Sequence, residues 1–452
     1  MHSVRPLRFP IIRSCEWPAR AARRTASAVI ARARATAAAT VTGTVVAATA
    51  GAQVATPSRP TLHDVVSIAI AQNPQIVTAR LQVDSAHAEH RIAKEYPNPT
   101  ASVIPGVPFQ YGLSDDLDVG PTRFYRVKAA SIGLSATRST LADVRRTVVF
   151  AVRQAFYDLL LANALDTLST DERAIYRQLL GADSVRLRTG DAPASDVTTS
   201  ELNLARADAA ASRARANVRS ARLALQLLMG VTHPDTGFQV QGSLRYQPVT
   251  APVDRPDSLL AVAQAERPDV RAAQLQLAQS EALRKETGWQ LLPTPNLGLS
   301  WQPGTPYPGA FPFGEHSNFT LALGVPIPLF NQYGGEREKS KAGVAVATVA
   351  ARESRRQAES DVIQATDSLR AAAVLAGLYQ GGLLEKTRQA VANAQFAYQH
   401  GAISLLDLLD AIRTNQDIRT EYVTAVHDYW VAVFSLDRAV GRDLVPDETS
   451  PP

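Results

Sequence analysis

The chain carries one pattern twice, and that duplication limits the possible folds more than composition does. The stretch "SIAIAQNPQIVTARLQ" at residues 67–82 matches "AVAQAERPDVRAAQLQ" at residues 261–276, so that Pro268 falls 194 positions after Pro74. Pro97-Asn98-Pro99 answers Pro293-Thr294-Pro295 at an offset of 196, and Gly190, Asp196 and Gly230 answer Gly401, Asp407 and Gly441, all at 211. Three matches at one offset mark a repeated structural unit.

Each copy opens with a short helix near residues 62–72 or 257–266, then a proline step, then a helix of about twenty residues ending near Tyr96 or Leu292. Extended segments follow. Residues 295–302 alternate Leu297, Leu299 and Trp301 with small or polar positions, and residues 318–325 alternate Phe319, Leu321, Leu323 and Val325 with Asn, Thr, Ala and Gly. That period of two predicts half-buried strands. The first copy's counterparts, residues 100–109 and 124–136, alternate less cleanly and are shortened by Pro105, Pro108 and Pro121. Loops rich in Pro, Gly and Asp, residues 110–122 and 303–316, join each pair, so the sequence predicts two β-hairpins.

Beyond each hairpin proline disappears, from Pro121 to Pro193 and from Pro328 to Pro446. Helix is favoured throughout both stretches. A helix from Gly335 to His400 is roughly 100 Å long at about 1.5 Å per residue, with Gly377, Gly381 and Gly382 as places to bend. Helices of that length suit a tube or stalk rather than a compact domain. Only 6% of residues are aromatic, which agrees with closely packed long helices. Aligning Gly133 with Gly324 gives an offset of 191 against 211 for the helical parts, which predicts that the first copy lacks about twenty residues at its strand-to-helix junction.

In lipid a spanning sheet must close, because an open edge leaves backbone donors and acceptors without partners. Four strands are too few for a closed transmembrane barrel. The chain must therefore share one barrel with copies of itself, and since about eight strands leave little lumen, three or more copies are favoured.

The "NP" and "RP" steps, the "PNP" and "PTP" strand openings, "PIPLFNQYGG" at residues 326–335, and the tip segments "RTGDAPASDV" and "QHGAISLLDLLDA" occur in a fixed order across the chain. In that order they resemble TolC-like outer-membrane efflux proteins. The resemblance implies a mainly α fold with a small β part: a homotrimer with a shared 12-stranded barrel among outer-membrane lipid and a helical barrel crossing the periplasm. It also implies a periplasmic adaptor (membrane fusion) protein and an inner-membrane pump of the RND type as partners. The "IPLF" junction and the PNP opening look similar to the outer-membrane components of cobalt, zinc and cadmium export systems. The expected divisions are a signal segment 1–52, a first repeat 53–245 (hairpin about 100–136, long helical hairpin about 139–230), a second repeat 246–445 (hairpin about 295–330, long helical hairpin about 335–441) and a tail 446–452.

Asp407 and Asp410 lie three apart on a predicted helix, so their carboxylates share one face. In a threefold tube they form a narrow acidic ring that attracts cations and is open to block by multivalent metal. In the resembling channels "LLDLLD" matches the acidic ring at the periplasmic constriction. An acidic first turn that complements the helix dipole is the plain alternative. Asp196 holds the equivalent place in the first copy, either as a helix N-cap or, by the resemblance, as part of a latch between tips together with a tyrosine and an arginine. Tyr398 matches the tyrosine, whereas Ile403 stands where the arginine belongs. Gly190 and Gly401 are placed where long helices must reverse. By the resemblance, Gly190, Asp191, Ala192 and Ser195 on one tip and Gly401, Ala402, Ile403 and Ser404 on the other meet the adaptor.

The first fifty residues contain eight arginines followed by a small, apolar run from Ala37 to Ala50. This reads as a secretory signal cleaved after Ala50-Gly51-Ala52, with an arginine-rich transit peptide or an upstream start as rivals. The segment holds eight of the 47 basic and one of the 42 acidic residues, leaving 39 basic against 41 acidic, so the basic balance of +5 belongs to the leader. Nucleic-acid binding loses its compositional support. The single cysteine, Cys15, lies in the same leader, and no run of 18 apolar residues follows it. Among the histidines only His87 and His90 lie three apart, and Met229 is the one methionine beyond the leader, so neither a metal site nor a cofactor is expected. No Ser-His-Asp grouping or phosphate loop points to an enzyme. The rival to a channel is a periplasmic coiled-coil scaffold, which accounts for the helices but not for the alternation around residues 319–325.

Overall fold

The computed structural model describes residues 59–106, 109–249, 256–304, 317–380 and 382–444. The expected signal segment, the tail, Gly381 and most of the loop 303–316 lie outside them. The first repeat contains α1 (Leu62–Gln72), α2 (Pro74–Lys94), β1 (Thr100–Ile104), β2 (Gln110–Asp116), α3 (Pro121–Thr189) and α4 (Ala194–Met229). The second contains α5 (Pro256–Glu266), α6 (Pro268–Trp289), β3 (Asn296–Gln302), β4 (Asn318–Gly324), α7 (Gly334–Gln380), α8 (Leu383–Gln399) and α9 (Leu405–Val440).

The duplicated proline steps have a packing reason. Pro74 and Pro268 each occupy the first turn of a helix, where a missing N–H costs nothing. The residue before each proline is pressed by the glycine that ends the same repeat's long hairpin. Gly230 adopts φ +77°, and a methyl group there would lie 2.5 Å from the Gln72 carbonyl oxygen; Gly441 adopts φ +83° with Arg267 Cα at 3.1 Å from the same position. Asn73 reinforces the first contact by donating its side-chain amide to Leu228 O at 2.7 Å. Gly230→Ala is expected to destabilise the fold by about 2 kcal/mol or more, since it combines a left-handed backbone with a backbone clash. Gly401→Ala, at φ +72° with open space around it, is expected to cost about 1 kcal/mol. Thermal unfolding followed by circular dichroism ranks the two.

The four strands form one sheet in the order β1-β2-β3-β4, every neighbour antiparallel. Register places Val103 opposite Tyr111, Tyr111 opposite Trp301, and Trp301 opposite Phe319. The next rungs match Leu113, Leu299 and Leu321, then Leu297 and Leu323. One face is therefore apolar apart from Asp115, opposite Leu297 at the end nearest the helices, with an aromatic row at the far end in which Tyr111 stacks on Trp301 at 5.5 Å. The other face carries Ser102, Gly112, Ser114, Gly298, Ser300, Thr320 and Ala322. An apolar outer face, a polar or small inner face and an aromatic band at the interface are what a lipid-facing barrel wall requires.

Here the structure corrects the first-repeat hairpin. Residues 124–136, expected as a strand, are the opening of α3, which starts at Pro121 rather than near 139; the expected loop 110–122 contains β2. Pro121 presets the helical φ at the first turn, and buried Ala129 and Ala136 with Gly133 between them give α3 a small-residue stripe against which Gln279 of α6 packs. The shortfall in the first repeat then falls elsewhere. Five residues, 105–109, separate β1 from β2, whereas fifteen, 303–317, separate β3 from β4. The helices themselves are matched: α3 has 69 residues, and α7 and α8 together span 334–399 with a break at Gly382, φ +88°.

Two apolar cores hold the helices together. The larger is built around Trp430, Tyr157, Tyr429 and Phe434, where α1, α3, α4, α5, α7 and α9 meet. Trp430 stacks on Tyr157 at 5.5 Å and donates its indole N–H to Arg245 O at 3.0 Å, which satisfies its polar edge. The smaller core, Tyr176, Leu179, Ala207, Val391, Tyr398, Leu405, Leu408, Leu409 and Ile412, lies toward the helical tips. One window of α3 is apolar and long enough to cross a bilayer by composition, and half of it is buried inside the helical assembly.

Candidate functional site

The two tips reverse as the glycines predict. Gly190 ends α3 at φ +82° and hands its N–H to Arg186 and Leu187 carbonyls, while Gly401 turns the chain after α8 at φ +72°. Asp191 is exposed and accepts from Thr189 Oγ1 at 2.6 Å, Ala192 is buried, and Ser195 is exposed in the first turn of α4. Across the second tip, Ala402 is exposed and Ile403 is half-buried against the smaller core.

Ser404 caps α9. Its hydroxyl accepts from the Asp407 N–H at 3.3 Å, and the Asp407 carboxylate accepts in return from Ser404 N at 3.0 Å and from Ser404 Oγ at 2.7 Å. These bonds to Ser404 hold the Asp407 carboxyl below its ordinary range. The first-turn acid is thus a capping residue as well as a candidate for the ring. Leu405, Leu408, Leu409 and Ile412 point into the core, which leaves Leu406, Asp407 and Asp410 on the exposed face. Both carboxylates therefore share one side of the helix, and Asp410 has no capping duty.

Asp196 differs from the N-cap expectation. The cap of α4 is Pro193, and Asp196 sits half-buried inside the first turn, its N–H donating to Pro193 O at 3.1 Å. Nor does Asp196 hydrogen-bond Tyr398. The Tyr398 hydroxyl donates to Asp183 Oδ1 at 2.6 Å, and Ser200 Oγ donates to Asp183 Oδ2 at 2.5 Å. Asp183 and Ser200 are fully buried, and Arg186 lies over the Tyr398 ring at 4.7 Å. Burial first, and then the Asp183 carboxylate, drive the Tyr398 phenol far above its usual range, so it stays a proton donor.

Asp183, Arg186 and Ser200 escape a motif search. Their signal is positional: Tyr176, Leu179 and Asp183 fall on one helical stripe, so an acid occupies a core position of α3. The cluster ties α3, α4 and α8 together within one chain. Among the described residues no group of three His, Cys, Asp or Glu side chains is placed to hold a metal ion.

Long helical hairpins that reverse at exposed glycine tips are joined to a four-stranded sheet with one largely apolar face, an architecture suited to a β-anchored membrane protein. The chain belongs to the family described as Outer membrane efflux protein, whose profile matches residues 107–231 and 259–442. Among its relatives is the cobalt-zinc-cadmium resistance protein CzcC of Cupriavidus metallidurans, 24% identical over 394 residues, covering 84% of this chain and 90% of that one. The outer membrane efflux protein BepC of Brucella suis is 25% identical over 335 residues, covering 70% and 68% respectively. The fold matches the Campylobacter jejuni CmeC outer membrane channel with a TM-score of 0.70 at 14% identity, covering 86% of this chain and 87% of that one. The protein is an efflux channel subunit of the outer membrane, with TolC-like helices extending into the periplasm. A scaffold without a pore is not favoured.

Proposed function

We propose that three copies of this chain close one 12-stranded barrel and one helical tube, and that the duct passively conducts small toxic solutes or metal cations from periplasm to exterior. The observation that carries this reading is the sheet: among the described residues β1 and β4 each pair on one side only, while the odd-numbered face is apolar except for Asp115, at the end of β2 nearest the helices. In lipid such edges must be paired, and copies of the same chain supply the partners. The energy comes from an inner-membrane pump of the RND type, joined through a periplasmic adaptor that meets the tips at Gly190 to Ser195 and Gly401 to Ser404. No catalytic step is involved.

Asp407 and Asp410 form the acidic ring of the periplasmic gate, and the Asp183–Tyr398 contact with nearby Asp196 holds the tips closed. The resistance named for the Cupriavidus relative favours divalent metal cations as cargo. A strain lacking this chain is expected to accumulate cobalt, zinc or cadmium and to be restored by the intact gene. Unchanged metal content together with accumulation of organic toxicants assigns the duct to the latter cargo; no accumulation of either contradicts the export role.

A further inference from the structure

We infer that the junction between β4 and α7 is a docking element: in the assembly proposed above, on which this inference rests, it seats in a cavity of the next copy just beneath the barrel. The repeat provides the template. Inside one chain the β2–α3 junction meets the α6–β3 step, with Leu117 N donating to Pro295 O at 2.8 Å and Thr122 Oγ1 to Trp289 O at 3.4 Å. The resulting cavity of about 520 Å³ has three walls, contributed by Asp116 and Thr122, by Leu291 and Leu292, and by Ile327 and Tyr333 of the β4–α7 junction.

At the equivalent place in the first repeat, a cavity of about 580 Å³ has two walls only, with Tyr96 from the α2–β1 step and Val119 and Phe124 from the β2–α3 junction. The wall that corresponds to Asp116 and Thr122 must come from the preceding repeat, and for the first repeat that is the β4–α7 junction of another copy. Both halves of the missing contact lie bare. Tyr96, Val119 and Phe124 are 64%, 75% and 62% exposed, and Ile327, Leu329 and Phe330 are 73%, 70% and 100% exposed.

Strand register brings the two together. Asp116 pairs with Asn296 inside the chain; Gly324 is the counterpart of Asp116 and Thr100 that of Asn296. Closure of the barrel on the same register sets Gly324 of one copy against Thr100 of the next, and Leu321 against Val103. This keeps Val103 of one edge on the same face as Phe319, Leu321 and Leu323 of the other. The β4–α7 junction then leaves the barrel beside Tyr96 of the next copy, where Leu329 and Phe330 lose water against Tyr96, Val119 and Phe124.

Cross-linking tests this directly, because Cys15 lies within the expected leader and is the only cysteine in the chain. The full chain carrying Phe330→Cys with Phe124→Cys, oxidised in membranes, is expected to shift into dimer and trimer bands that thiol reverses; Phe330→Cys with Val119→Cys is a second pair. Single variants are expected to stay monomeric on denaturing gels. Ser102→Cys with Ala322→Cys spans the strand edges and reports on the shared barrel independently. Cross-linking of that control without either junction pair, or junction bands confined to single chains, overturns the docking and leaves the assembly standing. Failure of all pairs with a monomeric mass in detergent overturns the assembly itself.

Discussion

Asp183→Ala is expected to loosen the tip of α3 and raise the fraction of time the duct conducts. The substitution strips the acceptor from two buried hydroxyls, those of Tyr398 and Ser200, in a site closed to water. An unsatisfied buried donor costs about 1–3 kcal/mol, so the loss from two is about 2–6 kcal/mol, concentrated where α3, α4 and α8 meet. Tyr398→Phe removes one donor of the pair and is expected to produce a smaller change in the same direction. Limited proteolysis within residues 189–195 and bilayer recording measure the two consequences. An Asp183→Ala chain as resistant to cleavage and as closed as the parent contradicts a clasp at this point.

The double variant Asp407→Ala with Asp410→Ala is expected to lose cation preference and to need about tenfold more multivalent cation for block, the equivalent of about 1.4 kcal/mol in binding. The single variants divide this effect. Asp410 is exposed and carries no cap, so Asp410→Ala reports on charge alone, whereas Asp407→Ala also removes the reciprocal bonds to Ser404. Ser404→Ala is the matching control, because it removes a capping bond and keeps both carboxylates. The pH sign follows from the lowered Asp407 pKa. Its contribution to α9 is present above the unfolded carboxylate value of about 3.9 and is lost as pH falls through the still lower folded value. Unaltered selectivity in the double variant removes these residues from the gate.

The long helices, the proline steps, β3 and β4 were legible because single residues dominate there. A proline-free stretch permits few alternatives to helix, and Phe319, Leu321 and Leu323 alternate without interruption. β2 was not legible. Gly112, Ser114, Asp115 and Asp116 have turn composition, and the segment is a strand because β1 and β3 pair on both of its sides, which is tertiary information. The strand expected at 124–136 and the alignment of Gly133 with Gly324 fail together, because Gly133 lies within α3 whereas Gly324 ends β4. At the tips, glycine chemistry and the spacing of Asp407 and Asp410 follow from local rules. The clasp does not, because an acid in mid-helix ordinarily faces solvent, and only packing against α4 and α8 reveals that Asp183 is enclosed.

The central claim is that copies of this chain share one conducting barrel. Purification in detergent followed by planar-bilayer recording examines it most directly. The predicted result is a trimeric species that inserts in discrete conductance steps and favours cations over anions. A chain that stays in solution after lysis without detergent and produces no steps in the bilayer contradicts it.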